Sequence, residues 1–151
     1  MAYTGSKAGI GLGTVLSINT GTPTTPTWTP VAELKQINQS GRQVATEDIT
    51  NFASSAKEFI PTLLDAGTWD LAGSRISGDA GQVAMEAAFQ GLTLQMFQIV
   101  LPKAGGETST GDKFAFAALI QDLNYSITVE KAVTFTAKLK VSGNITVTVG
   151  T

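Results

Sequence analysis

The clearest pattern in this chain lies near its end. Across residues 131–142, Val133, Phe135, Ala137, Leu139 and Val141 alternate with Thr134, Thr136, Lys138 and Lys140. A period of two is the signature of a strand with one face inward and the other toward water. Runs at 14–18, 67–77, 92–102, 113–124 and 144–150 predict further strands; in 67–77, Trp69, Leu71 and Gly73 alternate with Asp70 and Ala72. Residues 28–38 and 42–50 flank Gln39-Ser40-Gly41, which predicts a hairpin with Gly41 in the left-handed position. Ile37 breaks the phase of that hairpin and predicts a bulge. Its Glu33, Lys35, Glu47 and Asp48 give it a polar side that needs water or a channel.

One stretch has helical spacing. Between Asp79, a candidate N-cap, and Gly91, a candidate C′ glycine, Gln82, Glu86 and Gln90 fall at four-residue intervals and form one narrow polar stripe. Val83, Met85, Phe89 and alanines fill most of the remainder, so the helix over 79–91 is expected to be covered on more than one side. About eight strands joined by short turns, with one flanking α-helix, predict a mainly β single domain over 1–151: an antiparallel β-sandwich or barrel.

The segment 51–66 does not fit that pattern. Phe52, Phe59, Ile60, Leu63 and Leu64 sit there without clean alternation, with Pro61 among them, and it reads as a long loop. Burying five such side chains contributes roughly 7–15 kcal/mol. Fixing sixteen residues of backbone costs about 16–32 kcal/mol. The segment is therefore expected to need hydrogen bonds and packing from a surrounding surface, and to be mobile in a single copy.

Composition narrows the function. The 151 residues are 42% hydrophobic but only 15% charged, so much of the surface is Thr, Ser, Gly, Asn and Gln, which suits a protein covered by copies of itself. The net charge is −2, and Arg42 and Arg75 are the only arginines; the basic stripe of a nucleic-acid reader is absent. No apolar run approaches the ~18 residues of a membrane helix. The first residues, rich in Gly and small polar side chains, lack the layout of a signal peptide and predict cytoplasmic synthesis and a flexible arm over 1–11.

Catalytic patterns fare poorly. Without histidine there is no imidazole base, and without cysteine no thiolate. Ser54 and Lys57 have the Ser-x-x-Lys spacing but no companion elements. The glycines of 9–13 precede a strand and open no helix, so a phosphate loop fails. Asp65, Asp70 and Asp79 are too scattered for a calcium loop. The chain is expected not to be an enzyme and to need no cofactor or metal.

Taken in order, these features resemble the major tail tube proteins of long, non-contractile-tailed, lambda-like bacteriophages. The resemblance rests on AGIGLGTVLSI (8–18), WTPVAELKQI (28–37), GRQVATEDITNF (41–52), AGTWDLAGSRISGDAGQVAMEAAFQGL (66–92), and FAALIQDLNYSITVEKAVTFTAKLKVSGNIT (116–146). It implies the phage tail tube fold and a structural virion protein stacked as hexameric rings. Four strands per subunit would line the lumen, and DNA would pass without specific binding. It also implies synthesis in a bacterial host and partnership with tape measure, tail tip and tail terminator proteins. By analogy the arm, with Tyr3, Ile10 and Leu12, and the 51–66 loop reach neighbouring copies. Glu33, Lys35, Glu47 and Asp48 are the lumen candidates. Two alternatives stay open: a surface decoration or adhesion domain, and the inner tube of a contractile tail or secretion machine.

Overall fold

The computed structural model describes residues 9–105, 107–108 and 111–151. In chain order the elements are β1 (Val15–Asn19), β2 (Trp28–Pro30), β3 (Leu34–Ser40), β4 (Gln43–Asp48), β5 (Phe59–Asp65), β6 (Thr68–Ser74), α1 (Ala80–Gln90), β7 (Leu94–Val100), β8 (Lys113–Ser126) and β9 (Thr134–Thr148). Seven strands form one antiparallel sheet in the order β2-β1-β7-β8-β9-β6-β3, and β4 and β5 form a separate ribbon. The mainly β, antiparallel reading with one helix holds, with nine strands among the described residues.

The inward residues of the sheet make one core. Leu16 and Ile18 of β1, Phe97 and Ile99 of β7, Phe116 of β8 and Leu139 of β9 are all buried, with Met85 of α1 laid over them. The long β8–β9 ladder shifts register between Ala115 and Ala117 and again between Ile120 and Asp122. Such bulges let a sheet bend. The sheet curls enough for Trp69 of β6 to stack on Phe116 of β8, at 5.6 Å between ring centroids, across the intervening β9.

Several sequence expectations are corrected here. The strands flanking Gly41 do not pair with each other: β3 pairs with β6, and β4 with β5. Gly41 does take the left-handed conformation, at φ 74°, but the turn sends β4 away from the sheet. The run 28–38 is broken by Glu33, itself at φ 57°, into β2 and β3. The strands expected at 131–142 and 144–150 are one, β9, which passes through Gly143. The loop expected over 51–66 contains β5.

The helix is seated by side-chain chemistry as well as packing. Asp79 caps it, accepting from the amide of Gln82 at 3.1 Å and from that of Ala32 at 3.2 Å. Gln82 is only 2% exposed. Its Nε2 donates to the carbonyls of Ala32 and Ser74, both at 3.0 Å, and its Oε1 accepts from the amide of Ile76 at 3.0 Å. Gly81 lies so close to the β2–β3 corner that a β-carbon there would sit 2.2 Å from the carbonyl of Pro30. Replacing Gln82 by Ala removes the partner of three backbone groups, the buried Ser74 carbonyl and the part-buried Ala32 carbonyl and Ile76 amide; a buried group left unsatisfied costs about 1–3 kcal/mol. Urea unfolding of Gln82→Ala is expected to show a loss of about 2–4 kcal/mol.

Candidate functional site

Two surfaces stand out. The first is the β4–β5 ribbon, every residue of which is exposed. Val44 lies opposite Leu64, Glu47 opposite Ile60 and Asp48 opposite Phe59. Leu63 is 81% exposed, and Phe52, at the tip, is fully exposed. A two-stranded ribbon with apolar side chains on both faces is marginal in water.

The base of the ribbon is nevertheless firmly held. Gly67 is at φ 78°, and a β-carbon on it would strike the carbonyl of Ser40 at 2.1 Å. Its amide donates to Asp65 Oδ1 at 2.8 Å, and Lys140 of β9 reaches the same oxygen at 3.3 Å. Both interactions, the Gly67 amide first, hold the Asp65 carboxyl below its ordinary value.

The tip satisfies its own polar groups. Ile49 donates to the Glu58 carbonyl at 2.9 Å, Glu58 to Thr50 Oγ1 at 2.8 Å and Ala53 to Asn51 Oδ1 at 2.8 Å. The Ser54 hydroxyl donates to Glu58 Oε2 at 2.6 Å, so it braces the turn. Residues 51–66, expected from sequence to need hydrogen bonds and packing from a surrounding surface, thus make several hydrogen bonds within the ribbon itself. What these side chains lack is apolar cover.

The second surface is the outward face of β3, β6, β9 and β8. Strand pairing sets Asn38, Asp70, Lys138 and Asp122 in one row across four strands, and Gln36, Ala72, Thr136 and Asn124 in the next. These residues line a shallow groove of about 330 Å³. Each row is assembled from residues 36–138 of the chain, so only its β9 and β6 members, in the Thr134–Lys140 and Trp69–Gly73 alternations, were visible in sequence.

Among the described residues this four-stranded section has two unpaired edges. β3 ends the sheet and pairs only with β6. β7 pairs with β8 only as far as Leu119, so residues 120–126 of β8 pair with β9 alone. That half of β8 is braced from behind by the helix. Tyr125 donates its hydroxyl to Glu86 Oε2 at 2.5 Å, Gln90 donates to Oε1 at 2.8 Å, and Arg75 lies 5.4 Å from the centre of the Tyr125 ring. The Tyr125 bond, then that from Gln90, holds the Glu86 carboxyl below its ordinary value, while burial and then Glu86 push the Tyr125 phenol up.

The residues singled out from sequence are only partly brought together. Phe59, Ile60, Leu63 and Leu64 share β5, with Phe52 at the tip beyond it. Ile10 and Leu12 are exposed ahead of β1; Tyr3 lies outside the described residues. The four lumen candidates are split. Glu33 and Lys35 stand at the start of β3, Lys35 at its register shift, whereas Glu47 and Asp48 belong to the ribbon.

No protein-family model matches the chain, and no curated protein matches it in sequence. Solved structures match it in fold. A chain of the virion of a native gene transfer agent particle is 15% identical, with a TM-score of 0.71 over 93% of this chain and 99% of that one. The tail of the empty particle, refined with C6 symmetry, gives 17% and 0.64 over 88% and 95%. The SPP1 tail tube gives 19% and 0.68 over 94% and 79%. The sheath-tube complex of an extracellular contractile injection system, PVC, in its extended state, gives 9% and 0.66 over 90% and 88%. This chain therefore has the tail tube fold.

The Tyr125–Glu86 bond can be tested by titration. A depressed carboxylate pKa stabilises the fold above the ordinary glutamate range, and that contribution is lost as pH falls through the depressed value. Tyr125→Phe should raise the Glu86 pKa toward the ordinary value, seen in a carboxylate NMR titration.

Proposed function

We propose that this chain is the structural subunit of a phage-like tail tube, stacked as hexameric rings around a lumen through which DNA is ejected. The observation that carries the reading is the four-stranded polar section with an unpaired strand at each side. β8, β9, β6 and β3 alternate in direction, so β3 of one copy meets residues 120–126 of the next copy's β8 antiparallel. Such a head-to-tail contact uses two different edges and closes a ring when the rotation fits. Ring closure also removes edges that would otherwise invite uncontrolled pairing.

Six copies would contribute 24 strands. At ~4.8 Å between strands and a tilt of ~40°, the backbone cylinder is roughly 48 Å across. A bore of that size leaves room for a duplex roughly 20 Å wide and its water. The sixfold symmetry of the gene transfer agent tail agrees with that stoichiometry. The face toward the bore would carry Lys138 between Asp70 and Asp122 on adjacent strands, so phosphate finds no basic track to grip.

The apolar ribbon then gains its missing cover from a neighbouring copy, as would Ile10 and Leu12. The tube of a contractile machine is the same object inside a sheath. The likeness to the PVC sheath-tube complex keeps that second reading, and co-assembly with a sheath protein would select it.

Electron micrographs of the concentrated protein are expected to show rings or tubes; monodisperse single copies would favour a decoration domain instead. Phe59→Ser with Leu63→Ser should leave the circular dichroism of the single copy intact and abolish tubes. A normal yield of tubes from that double variant would refute the ribbon's role. Asp70→Lys with Asp122→Lys should turn the bore basic, so that tubes retain DNA in a salt-sensitive manner, measured by co-sedimentation.

A further inference from the structure

The C-terminal end of α1 departs from what stability alone would select. The amide of Thr93 donates to the carbonyl of Ala88 at 3.2 Å, and that of Leu92 to the carbonyl of Phe89 at 3.3 Å. This pair of bonds is a Schellman motif, which requires a left-handed residue at C′ and is closed most often by glycine. The sequence offers Gly91 for that place. Gly91 instead sits one position early, in right-handed helical backbone at φ −79°. The left-handed position, at φ 52°, falls to Leu92, which is 79% exposed.

A leucine there is unfavourable twice over, for its β-carbon crowds the backbone and its side chain meets water. Leu92 is followed by the start of β7, where Leu94 pairs with Leu119 of β8, and both are exposed. Immediately beyond Leu119 begins the half of β8 that β7 leaves unpaired.

We infer that Leu92, with Leu94 and Leu119, is the seat for the adjacent copy in the ring, and that it receives the corner where that copy's β3 runs into β4. This rests on the tube reading. An incoming β3, antiparallel to β8, brings its Leu34 end toward Ser126 and its Ser40 end toward Ile120, beside Leu92 and Leu94. Beyond Ser40 come Val44 and, opposite it, Leu64, both exposed and apolar. The seat carries no charge and the occupant carries one, on the exposed Arg42; the apolar side chains of each supply the cover that the other lacks. The unfavourable residue in the single copy becomes a contact in the ring.

The test compares the full chain with Leu92→Gly, which suits the left-handed backbone, and Leu92→Asn, which tolerates it and is polar. Melting of dilute protein and the critical concentration for tube formation are measured side by side, the latter by sedimentation with micrographs. Both variants are expected to melt no lower than the parent and to need at least tenfold more protein to assemble. Tubes forming at the parent's critical concentration in either variant would overturn the seat while leaving the tube reading intact. A lower melting temperature in both variants would make Leu92 part of a single copy's own packing, and also overturn it. A parent chain that never forms rings or tubes would overturn both readings.

Discussion

The carboxamide of Gln82 holds this architecture in register. From a buried position it bonds the Ala32 and Ser74 carbonyls and the Ile76 amide. One side chain thus joins the helix, the β2–β3 corner and the end of β6. Polar groups buried this deeply are stabilising when all are satisfied and costly when one is removed. The corner it secures is tight. Glu33 lies in left-handed backbone directly after Ala32 and accepts from the amide of Ser74 at 3.0 Å. Gly73 leaves no room there, since a β-carbon on it would meet the Glu33 carbonyl at 2.4 Å. β3 starts from that corner, so its direction, and the unpaired edge it presents, follow from where Gln82 sits.

The same seating fixes the other edge. With its first turn anchored, α1 runs across β8 and presents Glu86 to Tyr125. The unpaired half of β8 is therefore held from behind, through Tyr125, without being paired at its rim. Its polar face keeps it soluble, because Asp122 and Asn124 point outward where an exposed flat edge would otherwise aggregate. The sheet presents two such edges among the described residues, and the tube proposed above would pair them without adding any element.

Hydrogen bonding and hydrophobic cover are separated in the β4–β5 ribbon. Its tip closes on itself through Asn51, Ser54, Thr50 and Glu58, and its base is locked by Gly67, Asp65 and Lys140. Phe52, Phe59 and Leu63 remain in water. A ribbon shaped in advance loses less conformational entropy when a partner covers it than a loose loop would.

Local rules made part of this legible from sequence alone. The period of two in β9, the Asp79 cap of α1 and the apolar surplus at 51–66 each depend on residues within one or two turns of chain. Strand partnership does not. The bulge expected at Ile37 lies instead between Leu34 and Gln36, and Ile37 pairs in register with Leu71. Gly41 has the backbone of a hairpin turn, yet β3 packs Ile37 against Leu71 of β6, and β4 finds its partner in β5. The polar row from Asn38 to Asp122 exists only because four strands distant in sequence share a register. At the end of α1 the preference of Gly91 for the left-handed position lost to the point at which the helix, fixed at its first turn, had to stop. Pairing, register and helix phase are set by what the assembled core can bury, and that sum is taken over the whole chain at once.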